Sequence, residues 1–120
     1  MVSFLLRKGV LYLRTLKFIV DELIVKKDPK CDFSNIVPGT EGYLKAECSF
    51  TPEWDGTLKV VEFRRNFTEC EPKVLVDGKS CIIPAEALIS KAFKLRVLGK
   101  GKDDMKLTTN YVVVEQNGGK

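Results

Sequence analysis

The stretch "YLKAECSF" at 43–50 constrains the fold more than any other. Leu44, Ala46, Cys48 and Phe50 alternate strictly with Tyr43, Lys45, Glu47 and Ser49. Apolar and polar residues alternating with period two mark a strand with one buried face. Such a face needs a second layer to cover it. The rest of the chain repeats the theme in short runs rich in Val, Ile and Phe, broken by Gly, Pro and Asp. That is the pattern of an all-β domain. At 120 residues the chain makes one domain, large enough to bury roughly two-thirds of its unfolded surface without metals or cross-links.

Along the chain, "LKFIVDELIVKK" (16–27) reads as two short strands around Asp21-Glu22, or one long bent strand. The loop "DPKCDFSNIVPGTEG" follows, punctuated by Pro29, Pro38 and Gly39. After the alternating strand, "TPEWDG" is a turn, with Pro52 and Asp55-Gly56 suited to reversal. "TLKVVEFRRN" (57–66) is the next strand, with Val61 and Phe63 on one face. In "KVLVDGKSCII", Asp77-Gly78 between β-branched runs predicts a type I′ hairpin. Its register pairs Val76 with Lys79 and Val74 with Cys81, which turns Val74, Cys81 and Ile83 inward and Leu75 and Ile82 outward. "PAEALISK" (84–91) is the single short helical candidate, one or two turns crossing between sheets. "AFKLRVLG" turns Phe93, Leu95 and Val97 inward, and "MKLTTNYVVVEQ" (105–116) reads as one long last strand.

The expectation is an all-β, antiparallel immunoglobulin-like β-sandwich of seven to eight strands with one short helix. Its core is Leu44, Ala46, Cys48, Phe50, Trp54, Val61, Phe63, Val74, Cys81, Ile83, Phe93, Leu95 and Val97. Trp54 is the only tryptophan. It lies between consecutive strands that change sheets, where its ring closes the sandwich and its N–H reaches a loop carbonyl. The sandwich spans 16–118. Residues 1–15 are an N-terminal arm or the product of a misassigned start; in the arm reading Val2, Leu6, Val10 and Leu13 recur at helical spacing as a candidate interface.

Composition narrows the chemistry. There is no histidine, which removes the commonest general base and metal ligand. The four cysteines, Cys31, Cys48, Cys70 and Cys81, form no CxxC pair, which argues against a zinc site. The net charge of +4 is spread among acids, with no dense basic stripe for nucleic acid. Arg7, Lys8 and Arg14 interrupt the apolar N-terminus, which reads as neither signal peptide nor membrane span. The cysteines are therefore expected as reduced thiols. Asp28 and Asp103-Asp104 read as solvated loop residues rather than a calcium site. Glu53, Asp55 and Glu86 are carboxylates without an obvious shared cleft. No cofactor, metal or catalytic residue is expected.

In order, "GYLKAECSFTPEWDG", "KVVEF", "CIIPAEAL", "FKLRVLGKG" and "LTTNYVVVE" resemble short structural proteins encoded by phages and prophages of Firmicutes. These are similar to the immunoglobulin-like N-terminal modules of phage baseplate and head- or tail-fibre proteins. The resemblance covers roughly residues 16 to 118 and rests on the order and spacing of these stretches. It implies a virion structural protein made in the bacterial host cytoplasm: a head decoration, fibre-base or tail-associated subunit. Its partners would be capsid, fibre or tail proteins, with the chain present as a homo-oligomer or in multiple copies; the partly apolar second faces, with Leu58, Val60, Leu75, Ile82, Val112 and Val114 turned outward, are expected to be buried against them. Nucleic acid and membrane are not among the expected partners. The family offers no catalytic residue to carry over, and this chain stops just after the sandwich instead of continuing into a fibre. The competing expectation is a carbohydrate-binding sandwich with Trp54 as an exposed stacking platform, helped by Tyr43 or Tyr111.

Overall fold

The computed structural model describes residues 13–116, so Val2, Leu6 and Val10 lie outside the described residues. Two sheets pack face to face. One has the order β2-β1-β3-β7, built from β1 (Arg14–Asp21), β2 (Ile24–Lys27), β3 (Leu44–Phe50) and β7 (Ser80–Ile82). The other runs β10-β8-β4-β5, from β10 (Val112–Glu115), β8 (Ala92–Lys100), β4 (Leu58–Arg65) and β5 (Thr68–Glu69). Two further strands, β6 (Lys73–Val74) and β9 (Lys106–Thr108), add to β4 and β8 respectively.

The alternation of β3 does what its pattern demands: Leu44, Ala46 and Cys48 are buried. Leu16, Phe18 and Val20 of β1 join them from the same sheet. Val61 and Phe63 of β4 and Phe93, Leu95 and Val97 of β8 face them from the other. Phe63 and Phe93 lie 6.1 Å apart between ring centroids, close enough for tilted aromatic packing. Ile83 and Cys81 are also buried. Phe50, the last residue of β3, is only half-buried, because the sandwich ends there. Its ring packs on Trp54 at 5.1 Å and lies under the Lys59 ammonium at 5.3 Å.

Several expectations are corrected. The sandwich is not wholly antiparallel, for β1 and β3 pair in parallel from Arg14↔Leu44 to Val20↔Phe50. A parallel pair needs a long crossover, and the segment after Lys27 supplies it. Arg14 donates to the carbonyls of Asp32, Ser34 and Asn35 along that segment. Phe33 meets Phe18 edge-on at 5.4 Å, and Ile36 is buried. β1 begins at Arg14, so the sandwich starts before residue 16. Among the described residues there are ten strands, more than expected, because the edges of β4 and β8 are each covered by two short strands. The helical candidate is a 3-10 turn at Ala85–Leu88; four residues form too few hydrogen bonds to offset α-helix nucleation. It still bridges the sheets, with Leu88 fully buried. The last strand is broken into β9 and β10 at Asn110.

The hairpin register is the largest correction. Asp77 and Gly78 are both left-handed, at φ 54° and 68°, as the turn requires. Yet Val76 bridges to Ser80, not Lys79, and the arms then separate. β6 pairs with β4 (Val60↔Val74) and β7 with β3 (Ala46↔Cys81). Val74 is thus turned outward and 55% exposed, whereas Leu75 is 4% exposed.

Candidate functional site

Trp54 ends a 3-10 turn at Pro52–Trp54 and is 0% exposed. Its Nε1–H donates to the Glu22 carbonyl at 2.7 Å, and its ring lies on Gly99, where an added Cβ would stand 2.6 Å from Cζ3. The indole is a plug, and a glycan has no access to its face. Tyr43 is exposed just before β3, at the end of that strand away from Trp54, and Tyr111 lies beneath the Arg96 guanidinium at 4.8 Å. No shared aromatic platform forms.

The sequence-nominated carboxylates stay apart. Glu53 and Asp55 sit at the Trp54 end. There a hydrogen bond from Thr51 holds the Glu53 carboxyl below the usual range. Glu86 sits at the opposite end, accepting from the Glu71 N–H at 2.7 Å, while its carbonyl takes Arg65 Nε–H at 2.9 Å. Asp28 caps its own loop by accepting from the Lys30 N–H at 2.9 Å. Asp103 and Asp104 hold left-handed turn positions at φ 56° and 63°. Among the described residues no three His, Cys, Asp or Glu side chains converge as a metal would need. The four thiols are free.

The surface most unlike a plain solvated face is the outside of the six-stranded sheet. Residues directly opposite in register share a face, so the pairing sorts this surface into rows. Leu58 lies opposite Lys100, and Lys100 opposite Lys106. The next row is Val74, Val60, Leu98 and Thr108. Glu62 and Arg96 follow, joined by an ion pair at 2.7 Å. The last row is Glu69, Arg64, Lys94 and Val113. Leu58 and Val76 are 57% and 65% exposed. Leu58, Val60, Leu98, Gly99, Lys100 and Lys106 line a shallow groove of about 230 Å³.

Comparison of this chain with protein-family models, with curated proteins and with solved structures finds no match.

Sequence reading singled out Leu58, Val60 and Ile82 as outward apolar residues, and these do reach the surface. It placed Leu75, Val112 and Val114 with them, but Leu75 and Val114 are core and Val112 packs against it. It missed Val74 and Leu98. The even-numbered parity of β4, carried across to β8 and β6, is the signal that finds them.

Proposed function

We propose that this protein is a structural subunit, not an enzyme, and that it works by docking on other proteins. The phage resemblance makes the assembly a virion. The observation that carries the docking reading is the outer face of the six-stranded sheet, where Leu58, Val60 and Leu98 line a shallow groove and the exposed Val74 stands beside Val60 in register. Covering a large aliphatic side chain fully yields about 1.5–3 kcal/mol, so a few such residues suffice to anchor an interface core. Lys100 and Lys106 lie beside them as a polar rim. Two sealed sheets behind the face keep it rigid, which lowers the entropic cost of association.

We also read the sandwich as an immunoglobulin-like variant. The β3-β7 pair and the β10-β8-β4 run have the neighbour relations of the B-E and G-F-C strands of that fold. The parallel β1-β3 pair departs from it.

Mass spectrometry and cross-linking of purified particles test the virion reading. The expected result is this chain in the particle, with Lys100 or Lys106 linked to another virion protein. Particles that lack the chain would overturn the virion role. Links confined to the opposite sheet would overturn the choice of face.

A further inference from the structure

We infer that the chain associates with itself head to tail, the Phe67 ring of one copy entering the groove at Leu58 of the next. The groove's role as an interface rests on the docking reading above; its occupant is the new element. In the particle, the protein met by Lys100 and Lys106 is then another copy of this chain. Phe67 is the knob. Arg65 and Thr68 are register partners, so Asn66 and Phe67 form a two-residue tip between β4 and β5. Asn66 takes a left-handed conformation there, at φ 55°, which asparagine tolerates. The turn asks nothing aromatic of residue 67, yet a phenylalanine stands there, 94% exposed. Aromatic rings anchor interfaces once a pocket on the partner covers them.

The hole is at the other end of the same strand. Leu58, Val60 and Leu98 line the groove of about 230 Å³. Leu58 opens β4 and Arg65 closes it, which sets groove and tip more than about 20 Å apart. The ring therefore cannot fill the groove of its own copy and has to meet that of another. Charge separates this geometry from a two-fold one. Lys100 and Lys106 border the groove and no carboxylate lines it. A two-fold contact of groove on groove would press these lysines against their own copies, and like charges across an interface are costly. At the tip the charges are mixed. Arg64 has Glu69 opposite it on one side and Lys94 on the other, and the Arg65 Nε–H is held by the Glu86 carbonyl at 2.9 Å. Glu69, two residues beyond Phe67, arrives with the ring beside the lysine rim. Knob and hole are different patches, so each paired copy still offers one of them, and association continues into a ring or a filament.

The test is sedimentation equilibrium of the purified full chain over a range of concentrations, with two variants that alter exposed residues only. The unmodified chain should pass from monomer to a series of larger species as concentration rises. Phe67→Ala removes the knob and Leu58→Asp spoils the hole, and each should weaken self-association roughly tenfold or more, as loss of an interface anchor does. An equimolar mixture of the two should recover association and stop at the dimer, because Leu58→Asp keeps its knob and Phe67→Ala keeps its hole. A chain that stays monomeric throughout, association untouched by Phe67→Ala, or a mixture no better than either variant alone would each overturn the inference. If the chain is monomeric while Leu58→Asp still keeps it out of particles, the head-to-tail contact falls and the docking reading stands, with a different protein in the groove. If the chain associates as described while Leu58→Asp is incorporated normally, docking in the virion falls and the head-to-tail contact stands.

Discussion

Gly99 and Trp54 form one unit. The indole packs against the glycine, and a methyl there would sit 2.6–2.8 Å from ring carbons. Gly99→Ala should therefore cost about 1–3 kcal/mol through overpacking, and Trp54→Ala about 3–5 kcal/mol. Urea denaturation of each variant reads both; a Gly99→Ala protein of unchanged stability would contradict this packing. Asn110 acts as a peptide mimic at the seam between sheets. Its Oδ1 accepts from the Val25 N–H at 2.8 Å and its Nδ2 donates to the Val25 carbonyl at 3.3 Å. Asn110→Ala leaves both groups of the β2 edge without these partners and should cost about 1–3 kcal/mol, with faster amide exchange at Val25. The buried thiols set a pH response. Burial, helped by the neighbouring Cys81 and Glu47, pushes Cys48 up to about 12, and burial pushes Cys81 up to about 11. Raised thiols hold their full stabilising contribution below the ordinary value of 9.0 and lose it as pH rises toward the folded values. The denaturation midpoint should thus fall above about pH 9, and fall less in a Cys48→Ala, Cys81→Ala double variant.

The hairpin from Lys73 to Ile82 shows how an element's register decides a residue's fate. The turn chemistry at Asp77-Gly78 is as the sequence indicates, but one added residue between Val76 and Ser80 lets the arms go to different sheets. A shift of one residue exchanges inward for outward, and Leu75 takes the core position expected of Val74. Leu75→Ala should cost about 2–5 kcal/mol, whereas Val74→Ala should stay within about 0.5 kcal/mol, as surface changes do. Thermal denaturation of the two distinguishes the registers: the reverse ranking would restore a Val74-inward hairpin. At β9 and β10 the break has a local cause. Thr109 Oγ1 accepts from the Val97 N–H at 2.9 Å and donates to the Asn110 carbonyl at 2.8 Å, holding the chain out of a continuous ladder.

Across the whole molecule, the two 3-10 turns close opposite ends of one core, Trp54 at one and Leu88 at the other. In the docking reading proposed above, the outer faces are where partners would bind. Leu58 and Arg64 lie six residues apart on β4, about 20 Å, so a single partner surface can cover both halves of the face. If the docking proposed above is right, Leu58→Asp or Val74→Asp should exclude the chain from assembled particles while leaving its own stability within about 0.5 kcal/mol. Incorporation measured alongside the melting temperature checks this; normal incorporation of both variants would move the interface elsewhere.

By itself the sequence determined the all-β class, the inward faces of β3, β4 and β8, and the plug role of Trp54. Each follows from period-two alternation or from a large ring in a turn between sheets, signals carried by residues close together in the chain. Only the tertiary structure decided that β1 lies parallel to β3, that the hairpin divides between sheets and that Gly99 must yield room to the indole. It alone set Arg64 against Lys94. These facts depend on which distant strands become neighbours, and hydrogen-bonding edges, unlike buried faces, leave no periodic mark on the residues that form them.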